Sequence, residues 1–215
     1  RRRTEQKKKD FWLMGEVIHG DYSRYIQDRQ KMLHSVTNYE LHKGLYSGHN
    51  DHNYFEIAHT IRRQFDENGG IYRGMKLYTF ADNHDVDRII SKLNNKEHIY
   101  PVYTLLYTLP GIPSIYYGSE WGIEGKKQGG NDDPLRPAVD ITEAREEHKD
   151  SEIMKWVTWL GKVHSQWKEC FARGRYRELL LTNRQYAFAR FTDSQGILVA
   201  VNNDEAEAAV SIPVP

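Results

Sequence analysis

A single cysteine, Cys170, stands in 215 residues. One thiol can build neither an intrachain disulfide framework nor a thiolate metal cage. No apolar run approaches the roughly 18 residues that a membrane-spanning helix needs. Charge of one sign is not in excess either, since 30 Lys and Arg face 30 Asp and Glu. That balance removes the electrostatic footprint of a nucleic-acid or anionic-membrane partner, and neither is expected. With 39% hydrophobic and 28% charged residues, the chain is not disordered through excess charge.

What is present begins with a basic stretch. Arg1–Asp10 holds three Arg, three Lys and two acids, which reads as the solvated end of a surface helix, with polyanion binding as the alternative. The first residue is Arg, so the chain is expected to begin downstream of a translation start. Aromatic residues are plentiful, with 5 Trp and 14 Tyr, as in sugar-stacking surfaces and in large cores.

One pattern repeats along the chain. Phe11-Trp12-Leu13-Met14-Gly15 is a short apolar run ending at Glu16. Leu77–Ala81 ends in Asp82-Asn83-His84-Asp85, and Ile112–Tyr117 ends in Gly118-Ser119-Glu120. Short apolar runs without alternation are how strands buried on both faces look. A weaker strand is expected near Ser35–Leu41. Between them, Tyr54 to Gln64 predicts an amphipathic helix with Phe55, Ala58, Ile61 and Phe65 on one face, ended by Gly69-Gly70. A second helix is expected from His98 through Leu106, before Pro110-Gly111. Strands alternating with helices, each with a polar cluster downstream, argue for parallel βαβ units whose chemistry gathers at the strand ends.

Ser151 to Arg173 predicts a long helix with a serine cap and an apolar face of Ile153, Val157, Leu160, Val163 and Trp167. Beyond Gly174 the period changes to two, and Glu178–Leu181, Tyr186–Thr192 and Ile197–Asn202 predict antiparallel strands, with a turn at Asp193–Gly196. A fourth strand is expected near Ala208–Ile212. The domain division falls at residues 1–174 and 175–215.

Glu16 and Asp85 stand just past buried strands, where a carboxylate costs solvation. Two such carboxylates can flank one bond, the geometry of glycoside hydrolysis; surface ion pairs are the plain alternative. His49-Asn50-Asp51-His52 reads as a polar loop after the second strand, on the active face, with a metal site as the alternative. Trp121 is placed either against a sugar ring or in the core, and Trp156, Trp159 and Trp167 in helix packing.

Gly15-Glu16-Val17, Phe80-Ala81-Asp82-Asn83-His84-Asp85-Val86-Asp87-Arg88 and Gly111-Ile112-Pro113-Ser114-Ile115-Tyr116-Tyr117-Gly118-Ser119-Glu120 together resemble three successive motifs of the α-amylase family, glycoside hydrolase family 13. The resemblance implies an α/β fold: strands five to eight of a (β/α)8 barrel, followed by part of an all-β C-terminal domain. It implies Glu16 as general acid/base and Asp85 as the carboxylate that binds sugar hydroxyls and distorts the ring. His84 would bind the same sugar, with Asn83 and His19 beside it and Arg88 in support. Asp133 and Arg136, in Asn131–Pro137, resemble a loop that contacts sugars further from the cut.

The family's nucleophile, an aspartate in a Gly-x-Arg-x-Asp type segment after strand four, has no counterpart before Glu16. The chain is therefore expected to be a part of a longer α-1,4-glucan hydrolase, inactive without the upstream half of its barrel. No cofactor is expected in this segment, and calcium only upstream. A glucanotransferase of the same family, a silent carbohydrate-binding relative, and a metal-dependent barrel enzyme using Glu16, His84 and Asp85 as ligands are the competing readings.

Overall fold

The computed structural model describes residues 11–26 and 32–214; the basic stretch Arg1–Asp10 lies outside them. Four short parallel strands follow one another: β1 (Met14–Gly15), β2 (Ser35–Val36), β3 (Tyr78–Phe80) and β4 (Ile112–Ser114). β1 pairs with β2 and β3 with β4, both in parallel. A parallel bridge between Thr37 and Tyr78, with the Asn38 N–H donating to the Tyr78 carbonyl at 2.8 Å, joins the two pairs. Spatial order thus equals sequence order, as successive βαβ units produce.

The helices are α1 (Ser23–Ile26), α2 (Tyr39–Asn50), α3 (Tyr54–Phe65), α4 (Ile89–Lys92), α5 (Ile99–Thr108), α6 (Ile141–Glu147), α7 (Glu152–Gln166) and α8 (Lys168–Arg173). None of those described is long and apolar enough to cross a membrane. The strand expected at Ser35–Leu41 stops at Val36, because Asn38 caps a helix. Its side-chain oxygen accepts from the Leu41 N–H at 3.1 Å, and its amide exchanges two further bonds with Gln64. A side chain that satisfies the backbone locally takes it out of the ladder.

α3 is rotated from the expected face. Tyr54, Ile57, Ala58, Ile61 and Gln64 are its buried residues, whereas Phe55 is exposed. It ends at Phe65, where Asp66 turns to an extended backbone, four residues before Gly70. α5 is buried nearly all round through Ile99, Val102, Tyr103, Leu105 and Leu106, so it forms the centre of the main core. The long helix breaks at Trp167 (φ −101°, ψ 27°) into α7 and α8, and only Leu160 of its expected face is fully buried. Trp156 packs, donating its indole N–H to the Tyr100 carbonyl at 3.1 Å, but Trp159 is half exposed.

β5 (Arg175–Leu181), β6 (Gln185–Phe191) and β7 (Gly196–Asn202) form an antiparallel sheet. Tyr186, Phe188, Val199 and Val201 enter the same core as α2, α3 and α5. Buried Arg190 ties this sheet to two helix ends. Its guanidinium donates to the carbonyls of Thr108 and Phe171, both at 2.9 Å, at the C-termini of α5 and α8. Those carbonyls have no partner within their helices. The strand expected at Ala208–Ile212 does not form; the segment has no ladder partner and lies along β6 and β7.

Candidate active site

Glu16 follows β1 directly, and Thr37 fixes it there. The Val17 N–H donates to the Thr37 hydroxyl at 2.8 Å, which in turn donates to the Val17 carbonyl at 3.1 Å. His84 and Asp85 come from the loop after β3, whose tight course is set by Asn83. That side chain accepts from the Asp85 N–H at 2.9 Å and donates to the Tyr39 hydroxyl at 3.0 Å. Both ends of the Asn83 amide thus help position the loop.

These loops bring Glu16, His84 and Asp85 together, with one ligand atom of each within 4.8 Å of the others. His84 Nε2 lies 3.3 Å from Asp85 and 4.0 Å from Glu16. The Tyr39 hydroxyl donates to Glu16 at 2.8 Å. Burial, foremost, and the Glu16 carboxylate push the Tyr39 phenol up to about 12, against the opposing Asn83 bond, so it remains a donor. Arg136 clamps the other side: Nη2 donates to Asp85 at 2.7 Å and Nε to the His84 carbonyl at 3.0 Å.

Arg136, expected in a loop that contacts sugars further from the cut, lies against the cluster itself, and its acidic neighbour is not Asp133. Asp132 pairs with Arg136 at 3.1 Å and with Lys127 at 3.0 Å, while Asp133 opens a short 3-10 turn with an exposed side chain. His19 is exposed and lines a cleft with Asp85. Trp121 stacks on His148, with ring centroids 5.6 Å apart. Of the polar loop expected at His49–His52, His49 and Asn50 close α2, while Asp51 and His52 make the turn that follows. His49 is fully buried, its ring bonded to the Leu45 carbonyl at 2.6 Å and the Tyr54 hydroxyl at 3.2 Å.

Arg88 is not a sugar ligand. It is 0% exposed, the largest fully buried side chain described, and acts beneath the site. Its guanidinium lies 4.3 Å from the Tyr116 ring centroid and donates to the Tyr117 carbonyl at 2.6 Å and the Ser119 hydroxyl at 3.1 Å. That hydroxyl donates to Asp82, which also accepts the Ile89 N–H at 2.8 Å. Gly118, at φ 84°, makes the turn that brings Ser119 in; a Cβ there would lie 2.5 Å from Ile123. Burial raises the Asp82 carboxyl above its ordinary value, opposed by the Ile89 and Ser119 bonds and by Arg88. The network holds both ends of the loop 82–88 that presents His84 and Asp85.

Glu16, His84 and Asp85 also form a donor set of the kind that binds divalent cations. Arg136 weighs against that use, because a guanidinium 2.7 Å from Asp85 already neutralises it. A site with a proton donor, a paired carboxylate and an imidazole around one small space suits a polyhydroxy ligand better.

A family profile described as "Alpha amylase, catalytic domain" matches residues 1–172. The chain belongs to the α-amylase family. This α-amylase family chain is 26% identical to a cyclomaltodextrinase from a Bacillus species, over 96% of its own length and 36% of the relative's. It is 21% identical to an intracellular maltogenic amylase of Bacillus subtilis, over 99% of the chain and 35% of that relative. Among solved structures, an alpha-amylase from H. orenii superposes with a TM-score of 0.78 at 19% identity, covering 94% of this chain and 45% of the other. A Nostoc punctiforme debranching enzyme gives 0.78 at 21% identity, covering 98% and 45%. These likenesses show an α/β fold of the barrel kind. The chain spans about a third of its curated relatives and less than half of the solved chains.

Proposed function

We propose that this chain carries the acid/base and sugar-orienting residues of a retaining glycosidase that acts on α-1,4-glucans such as starch and maltodextrins. In this reading residues 1–174 are strands five to eight of a (β/α)8 barrel, and residues 175–215 begin an all-β C-terminal domain. Its missing partner is the upstream half of the barrel, where any calcium would also be held. The convergence of Glu16, His84 and Asp85 within 4.8 Å carries the proposal.

Glu16 protonates the glycosidic oxygen as the bond breaks and later takes a proton from the incoming water. Asp85 and His84 bind hydroxyls of the sugar at the cut, and the Asp85 charge favours the oxocarbenium-like transition state. Retention requires a nucleophilic carboxylate on the opposite face of the sugar, a role this reading does not give to Asp85. In this reading the nucleophile belongs to a segment upstream of Glu16, as the resemblance to the family implies.

This chain alone is expected to release no reducing ends from maltoheptaose. In the complete enzyme Glu16→Gln lowers kcat by roughly 10²–10⁴. Sustained hydrolysis by the isolated chain would refute the external nucleophile. Added maltose, with products resolved by length, separates hydrolysis from glucanosyl transfer, which the same residues serve.

A further inference from the structure

A cavity of about 300 Å³ opens at the ends of the strands remote from Glu16, lined by residues 74–76 ahead of β3 and 110–111 ahead of β4. Its walls carry five cations, Arg73, Lys76, Arg173, Arg175 and Arg190, against a single acid, Glu67. Asp193 pairs with Arg175 at 2.7 Å and Glu169 with Arg173 at 3.9 Å, yet two positive charges stay unbalanced. In a chain with 30 cations and 30 acids that surplus is local. Among the described residues no carboxylate pairs with Arg73, Lys76 or Arg190, and Arg73 donates only to the Glu67 carbonyl, at 2.8 Å. Arg190 separates this cavity from a merely basic surface. Its side chain is 3% exposed, its terminal nitrogens are held by the Thr108 and Phe171 carbonyls, and its Nε has no acceptor among the described residues. Burial, foremost, pushes it down to about 10. A buried cation held by carbonyls alone keeps much of its desolvation cost, so an anion in the adjoining cavity gains from it.

Two unbalanced charges fit a dianion. A phosphate group carries roughly −1.5 to −2 near pH 7 and offers three strong acceptor oxygens, which guanidinium forks match in geometry. The cavity stands at the small end of ligand-sized volumes, enough for a phosphate group with a short substituent. We propose that Arg73, Lys76 and Arg190 form a binding site for a phosphate dianion, free or as a small phosphomonoester, at the opposite end of the strands from Glu16 and Asp85. The anion ties the turn ahead of β3 to the seam where β6 meets the ends of α5 and α8.

Equilibrium dialysis of the 215-residue chain against radiolabelled inorganic phosphate, at physiological salt and pH 7.5, tests this. Arg190 also holds two helix ends, so the exposed cations are the ones substituted. Saturable binding of one phosphate per chain is expected. Lys76→Met and Arg73→Met should each weaken it roughly tenfold, the scale of one hydrogen bond to a charged group. Lys149→Met, an exposed cation outside the cavity, should leave it unchanged. Equal weakening in all three variants, or no saturable binding by the unsubstituted chain, overturns the site. Displacement of the label by an equal concentration of glycerol 3-phosphate supports the phosphomonoester as occupant, and retention of the label supports free phosphate. Neither result depends on glucan binding, so this site and the function proposed above fail separately.

Discussion

Arg88→Met is expected to lower the stability of the chain by roughly 1–3 kcal/mol, the cost of leaving buried polar groups without their partner. The methionine would fill much of the space but remove the positive charge that reaches Asp82, 3% exposed, through the Ser119 hydroxyl. It would also free the Tyr117 carbonyl and the Ser119 hydroxyl that Arg88 satisfies. Urea unfolding measures the loss. Where Arg88→Met does not fold, Arg88→Lys keeps the charge but not the planar stack on Tyr116, and should lose less. Combining Arg88→Met with Asp82→Asn should recover part of the loss, because these groups share one network. A loss below about 1 kcal/mol for Arg88→Met would show that the charge is not needed to hold loop 82–88.

Acidification is expected to have an effect of similar size. His42 and His49 are 4% and 0% exposed. Burial, foremost, and the Lys92 charge push His42 down to about 4, against the pull of the Ala81 carbonyl. Burial likewise pushes His49 down to about 3, with the Leu45 carbonyl opposing. Both values lie below the ordinary 6.5, so the unfolded chain binds more protons in this range. Their contribution is complete above pH 6.5, declines as the pH falls, and is gone once it passes the folded values. Each group costs up to about 1.4 kcal/mol per pH unit within that window. Asp82, whose carboxyl is raised, acts with the opposite sign where it titrates. Urea midpoints at pH 7.5 and 5.0 should therefore differ clearly, and His42→Gln should flatten the slope. Midpoints that coincide would contradict the neutral buried imidazoles.

How far the sequence was readable follows from where each residue's partners lie. Glu16 and Asp85 were legible because an apolar run predicts a strand by itself, and an acid at its end is conspicuous. Tyr39 was not, since Ser35-Val36-Thr37 favours extension, and only the pairing of Asn38 with Gln64 turns the chain into α2. Arg88 reads as a loop cation until Asp82, Ser119 and Tyr116 close around it. The rotation that exposes Phe55 and buries Ile57 and Gln64 is likewise set by neighbours, because both faces of α3 carry apolar residues. Arg190 had no local signal at all; its burial depends on how β6 meets the ends of α5 and α8.

The most direct measurement is a crystal structure of this chain grown with maltotriose and magnesium together. The account predicts one glucose ring with its hydroxyls bonded to both His84 Nε2 and Asp85, and Glu16 facing the adjoining glycosidic oxygen. A metal ion held by Glu16, His84 and Asp85, or a sugar seated away from all three, would contradict it.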